Sequence, residues 1–295
     1  YKKFQSKLNN ENNLKGNVKK ITYRPLDNRY IFYHKDLIER GRFDFFENAN
    51  SLSIITSRQT KKNINLTNFF VSENLAEYKC SESTVGSQVF PIKYKNHSNI
   101  NNTTKKRIQD ILKIDKLDDL TLFNYIYGFI YSNLYRDNFK EFIRLDYPRI
   151  FFPRNKKIFL EISKLGKDLI ALHLGSNEYS KGCFVGNNEI LDKNQIKFED
   201  NKLYINSESY FKINKSIHTY EIGGYNIIKN YLKKSYNSKN NNLIYDIENI
   251  IYIIDETINL TKKIDIQTCK FINNINWDLC ETKHIFVKKI VKEKS

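Results

Sequence analysis

The spacing of apolar side chains changes part-way along this chain, and any fold must satisfy both spacings. Between residues 21 and 100, apolar clusters at 30–33, 52–55, 69–71 and 89–94 are short and separated by polar turns, which is the pattern of strands. From residue 119 the spacing becomes helical. Leu122, Phe123, Ile126, Tyr127 and Ile130 recur along one face. Ser132 is placed to cap a second short helix carrying Tyr135, Phe139 and Phe142. That helix should end at Tyr147-Pro148, because the residue before proline is pushed out of the α region. A third helix is expected over 156–174 through Phe159, Ile162, Leu165, Leu169 and Leu172, with Gly175 to stop it.

Strand character then returns. The stretch IKFEDNKLYI, residues 196–205, reads as a hairpin turning at Asp200-Asn201. Gly223-Gly224 is expected to open a helix over 225–234. A long final helix over 243–265 has Ile247, Ile250, Ile251, Ile254 and Ile258 on one stripe. No internal repeat is visible. The class is α+β: a mostly β N-terminal part, a helical middle, a late β-hairpin and a long C-terminal helix. The expected division is a linker or arm over 1–20, a β-rich part over 21–100, a helical part over 101–175, a hairpin insertion over 176–222, C-terminal helices over 223–265 and a basic tail over 266–295. The segment NHSNINNTTKKR, residues 96–107, reads as a polar loop at one of these boundaries.

The charge narrows the partner. Forty-nine Lys and Arg against 33 Asp and Glu leave a formal net charge of +16 over 295 residues. Such a balance points to a polyanion, either nucleic acid or an acidic membrane surface. Codon bias toward A and T explains Lys chosen over Arg, but not the excess of bases over acids. No apolar run approaches the roughly 20 residues that span a bilayer, and no signal-peptide pattern is present. No membrane partner is therefore expected. Cys80, Cys183, Cys269 and Cys280 are scattered, which suggests neither a disulfide framework nor a zinc site and fits a reducing cytoplasm. A chain that begins at Tyr1 and contains no methionine is expected to be a fragment or a processed piece.

Catalytic signatures are missing. The ten glycines form no phosphate cradle or dinucleotide fingerprint. The five histidines, His34, His97, His173, His218 and His284, never fall at a paired metal spacing. Asp200-Asn201-Lys202 resembles half of a nuclease motif, but a hairpin turn explains the same residues. No catalytic centre and no cofactor are assigned to this chain.

Seven segments in order then carry a family resemblance: YRPLDNRYIFYHKDLIER (23–40), SRQ (57–59), SQVFPIKY (87–94), LFNYIYGFIYSNLYRDNFKEFIRLDYPRI (122–150), LGKDLIALHL (165–174), GGYNIIKNYL (223–232) and IENIIYIIDETINLTKKID (247–265). The series resembles the C-terminal specificity region of single-chain restriction–modification enzymes of type ISP and related type II kinds. One departure is Asn133, where such proteins commonly carry proline at the first turn of a helix. The resemblance implies sequence-specific binding of double-stranded DNA. It also implies an upstream adenine-specific methyltransferase domain, on the same polypeptide or a separate subunit, that uses S-adenosylmethionine. The parent is then a site-specific DNA methyltransferase, with or without endonuclease activity. That domain's Asn-Pro-Pro-Tyr loop and Phe-x-Gly-x-Gly turn are not in these residues. No two of Pro25, Pro91, Pro148 and Pro153 are adjacent, and no Gly-x-Gly occurs.

A DNA reader needs Lys and Arg for phosphates and a few bidentate side chains for base edges, Arg for guanine and Asn or Gln for adenine. SRQTKKN, residues 57–63, supplies both: Arg58 and Gln59 for bases, Lys61 and Lys62 for phosphate. Lys93 and Lys95 alternate with Ile92 and Tyr94 and are expected to share a strand face along the duplex. Arg149 and Arg154 flank the RIFFPR run and either bind phosphate or pair with acids such as Asp146. Arg24 and Arg29 are expected to brace the scaffold or touch phosphate rather than read bases. Two other classes remain open at this point: a basic protein-interaction module with an acidic partner, and an RNA-binding module.

Overall fold

A computed structural model describes residues 14–49, 51–60, 66–175, 179–186, 191–235, 242–273, 280–281 and 285–286. The N-terminal part is strand-rich. β1 (Val18–Arg24) and β2 (Asp27–Phe32) form an antiparallel hairpin, followed by a short helix, α1 (Phe43–Asn48). β3 (Ser53–Ser57), β4 (Phe69–Ser72), β5 (Leu75–Ala76) and β6 (Ser87–Pro91) complete two three-stranded sheets, ordered β2-β1-β5 and β4-β3-β6. β7 (Lys93–Tyr94) and β8 (His97–Ser98) make a small hairpin.

β3 is the organising strand because both its edges are paired and all five of its residues are buried. Its pleat sends Ile54 to one face, into the main helical core. Ile55 goes to the other, against Val89, Cys80, Phe45 and Phe46.

The helical middle comprises α2 (Asn102–Leu112), α3 (Asp119–Tyr131), α4 (Asn133–Asn138), α5 (Lys140–Leu145), the strand β9 (Ile150–Phe151) and α6 (Lys156–Leu174). α3 is buried from Leu122 to Tyr131 on every side, so its apolar residues form no single stripe. It meets α6 at backbone contact. A Cβ on Gly166 would stand 2.0 Å from the Asn124 carbonyl oxygen, and one on Gly128 would stand 2.8 Å from that of Ile162. Gly175 ends α6 at φ 67°, as its position in the sequence requires.

The C-terminal part holds β10 (Phe184–Val185), β11 (Lys197–Glu199), β12 (Lys202–Tyr204) and β13 (Tyr210–Lys212) in the order β10-β13-β12-β11. After them come α7 (Lys215–His218), β14 (Glu221–Ile222), β15 (Tyr225–Asn226), α8 (Ile227–Ser235), α9 (Leu243–Ile272) and β16 (Cys280–Glu281). Asp200 (φ 51°) and Asn201 (φ 56°) are both left-handed, the turn a two-residue hairpin selects. This accounts for the Asp-Asn-Lys string without any nuclease role. α9 joins two cores: Ile247, Ile250, Ile251 and Ile254 pack with the late strands, whereas Ile253, Leu260, Ile264 and Ile272 pack with α3 and α6.

Several boundaries differ from the sequence reading, each for a local reason. Residues 18–20 of the expected arm belong to β1. The polar run 96–107 is not a loop throughout, because Asn101 caps α2 by accepting from the Thr103 and Thr104 amides at 2.9 and 3.2 Å. Ser132 does cap a helix, but that helix breaks at Phe139 (ψ 22°), so Phe139 and Phe142 fall on separate elements. Gly223 and Gly224 turn the β14–β15 hairpin, and α8 starts only at Ile227, where Asn226 accepts from the Lys229 amide at 2.9 Å. The final helix runs seven residues beyond 265, and the described residues 280–281 and 285–286 of the region read as a tail lie against the core. β16 pairs with β9, and Phe286 packs its ring against Phe90 and Phe123.

Asn133 shows why proline is dispensable at its position. Asp265 of α9 accepts from the Ser132 hydroxyl (2.7 Å), the Asn133 amide group (2.9 Å) and the Leu134 backbone N–H (3.2 Å). A carboxylate at a helix N-terminus is favourable both as a cap and toward the helix dipole.

Candidate nucleic-acid interface

Ser57 ends the central strand, and the chain leaves the sheet there as Arg58-Gln59-Thr60. Side chains below fix the departure point. Asn68, at the start of β4, donates to the Ser57 carbonyl (3.2 Å) and hydroxyl (2.9 Å), and Ser57 donates to the Gln59 carbonyl (2.8 Å). Thr60 donates to the fully buried carboxylate of Glu82, which also accepts from the Thr84 amide (3.3 Å) and the Thr84 hydroxyl (3.2 Å). The returning stem is tied from the far end of the chain. Thr67 donates its hydroxyl to the Glu221 carbonyl at 2.8 Å, and the Gly223 amide donates to the Thr67 carbonyl at 2.9 Å. Only glycine fits at 223, since a Cβ there would lie 1.9 Å from the Ser81 carbonyl oxygen. Both ends of the 58–68 connection are therefore anchored.

Arg58 and Gln59 project outward from this anchored end. The Arg58 side chain is 62% exposed, and its Nε lies 3.0 Å from the Asp146 carboxylate. Gln59 donates to the Leu145 carbonyl at 3.4 Å. An ion pair this exposed contributes about 0–1 kcal/mol, so a guanine edge or a phosphate can replace it at little cost. Lys61 and Lys62 lie outside the described residues. Asp146 thus pairs with Arg58 rather than with Arg149 or Arg154. The Arg149 guanidinium instead sits 4.9 Å from the centre of the Phe142 ring, a contact that holds the side chain without neutralising it. Arg154 is exposed beside the start of α6 and has no ion-pair partner among the described residues. Burial raises the Tyr147 pKa against the opposing pull of the Arg58 charge.

The structure separates Lys93 and Lys95 from this surface. β6 runs antiparallel to β3, so Pro91 pairs with Ser53 and Ser87 with Ser57. The β7–β8 hairpin therefore lies at the opposite end of the sheet from Arg58, about 13 Å of strand away. The two lysines do not share a strand face either. Lys93 is in β7, whereas Lys95 (φ 51°) and Asn96 (φ 61°) form the left-handed turn.

Arg24 and Arg29 both lie against one ring. Their guanidinium carbons lie 4.0 and 3.8 Å from the centre of Tyr23. Arg24 is paired with Glu77 and lies 5.0 Å from the Tyr225 ring. Arg29 forms a forked pair with Asp27 (2.7 and 3.1 Å), which also binds Lys234 at 2.7 Å. Burial raises the Asp27 pKa, but hydrogen bonds from Arg29 and Lys234 outweigh it and hold the carboxyl below its ordinary range. The pairing of Glu82 with Thr60 and of Asp146 with Arg58 has no signal in the sequence, because the partners meet only through the tertiary fold.

No Gly-x-Gly turn occurs in the sequence. No group of three or more His, Cys, Asp or Glu side chains among the described residues is placed to hold a metal ion. No helix among them is long and apolar enough to cross a membrane.

Comparison with known proteins gives the family and the fold. The Type ISP C-terminal specificity domain matches residues 2–263, and the chain belongs to that family. Its fold is similar to part of the ATP-dependent Type ISP restriction-modification enzyme LlaBIII bound to DNA, with a TM-score of 0.65, 16% identity, and coverage of 84% of this chain and 18% of that one. A nuclease-deletion mutant of the Type ISP restriction-modification enzyme LlaGI in complex with a DNA substrate mimic matches at a TM-score of 0.62 and 20% identity, over 84% of this chain and 20% of that one. The DrdV–DNA complex matches at a TM-score of 0.69 and 15% identity, over 84% and 28%. The chain thus spans less than a third of each of those chains. No curated protein matches it.

Proposed function

We propose that this chain is a DNA target-recognition domain that binds double-stranded DNA and reads its sequence for a restriction–modification enzyme. The observation that carries this reading is the 57–60 segment. Two side chains able to form paired hydrogen bonds with base edges, the exposed Arg58 and the half-buried Gln59, stand at the end of a fully buried strand, with hydrogen bonds holding both stems. Arg149, which rests on Phe142 of the same turn, and the exposed Arg154 supply phosphate contacts, and the net charge of +16 supplies attraction independent of sequence.

Methylation of an adenine amino group requires the base to leave the stack, and that chemistry belongs to an S-adenosylmethionine-dependent domain outside this chain. The role proposed here is to hold register while the other domain works on one base, in the cytoplasm where its DNA lies. The test is selection from a random duplex pool, followed by a salt titration of the selected and scrambled duplexes. The expected result is one short preferred sequence and a steep loss of affinity with salt. Equal binding to both duplexes at every salt concentration would overturn the reading.

A further inference from the structure

We infer that Leu145 is a further specificity-determining residue, which reads a thymine methyl group beside the base edges contacted by Arg58 and Gln59. This inference rests on the reading of the 57–60 segment given above.

α5, of sequence KEFIRL, buries only Ile143 and leaves Leu145 67% and Phe142 46% exposed. Single exposed apolar residues are ordinary on protein surfaces. The connections of this one are not, because its own carbonyl accepts from Gln59 and the next residue holds Arg58. The exposed isobutyl group therefore belongs to the same turn that steadies the two polar readers. Phe142, one turn back, carries the Arg149 guanidinium on its face. Arg58, Arg144 and Arg149 each contact this turn or belong to it, with Glu141 and Asp146 as its acids.

An occupant of this surface must offer a small apolar group framed by anions. The major groove of a duplex does so wherever a thymine C5-methyl lies between phosphate backbones, and no other base edge there is apolar.

The experiment is a double-mutant cycle across the interface. The wild-type chain and Leu145→Ala are titrated by fluorescence anisotropy against the duplex selected by wild type, and against versions with each thymine replaced singly by deoxyuridine. The inference predicts one position where loss of the methyl weakens wild-type binding about fourfold, as expected for one buried carbon. At that position Leu145→Ala should show no further loss, while its thermal midpoint and its affinity for scrambled duplex stay unchanged.

A selected sequence without thymine would overturn the inference, as would methyl effects identical in wild type and variant, or a variant that loses stability. Unchanged DNA binding with loss of association to a separately expressed methyltransferase domain would assign the surface to protein contact instead. Should wild type select no sequence at all, the target-recognition reading itself would fail. If Arg58→Ala/Gln59→Ala relaxes preference while the Leu145 cycle is flat, only the present inference fails.

Discussion

Two regions of this molecule are rich in arginine, and they use it in opposite ways. Around Tyr23, Arg24 and Arg29 are matched by Glu77 and Asp27 and pressed against ring faces. In the other region, Arg58 has one exposed partner, and among the described residues neither Arg149, which rests on a ring, nor Arg154 has an ion-pair partner. The first arrangement spends its charge inside the protein and leaves little for a ligand. The second keeps charge and hydrogen-bond donors toward solvent while fixing the backbone that carries them. Whether a basic side chain braces or binds is decided by the carboxylate beside it, so the count of bases alone misleads.

Substitutions in the two regions should therefore separate stability from recognition. The largest effect is expected for Arg24→Ala/Arg29→Ala, which leaves the partly buried Glu77 and Asp27 without their arginines. Urea denaturation should show a loss of about 2 kcal/mol, reduced from the 3–5 kcal/mol of fully buried pairs because these remain partly exposed. Sequence preference of the folded fraction should be unchanged. A variant with intact stability and altered preference would place these arginines on the DNA instead.

Glu82→Ala removes the anchor of Thr60. It should cost about 1–2 kcal/mol of stability and reduce the ratio of selected to scrambled affinity, with scrambled affinity preserved. Arg149→Ala and Arg154→Ala should each weaken binding to every duplex by about 1 kcal/mol and reduce the salt slope by about one, with melting unaffected. The smallest effects belong to the far end of the sheet. Lys93→Ala should change affinity by under about 0.5 kcal/mol, and Lys95→Gly should stabilise the turn by a similar amount, because Lys95 holds φ 51°.

Much of the fold could be read from local sequence where local chemistry decides. The Asn155-to-Gly175 helix, the Ser132 cap and the Asp200-Asn201 turn are set by residues within a few positions of one another. The start of α2 was also available, since Asn101 and the threonines after it carry an N-cap, but the density of asparagine there resembles a linker. The break at Phe139 and the return of β16 and Phe286 to the core depend on packing against distant elements. Periodicity carries no signal of such contacts.

The candidate site divides in the same way. Arg58 and Gln59 stand out by residue type, and Lys93 and Lys95 stood out by alternation until strand direction placed them at the other end of the sheet. The features that define the surface are Glu82, Asp146 and Leu145. They lie 22, 88 and 86 residues from their partners Thr60, Arg58 and Gln59, and only the fold brings them together.

The central claim is that Arg58 and Gln59 at the end of β3 read bases. The most direct test measures the affinity ratio of selected to scrambled duplex for wild type and for Arg58→Ala/Gln59→Ala, at one fixed salt concentration. The account predicts a ratio at least about tenfold smaller in the variant, from a loss of roughly 1–3 kcal/mol per paired base contact, with scrambled affinity within about threefold of wild type. An unchanged ratio would show that some other part of the molecule reads the sequence.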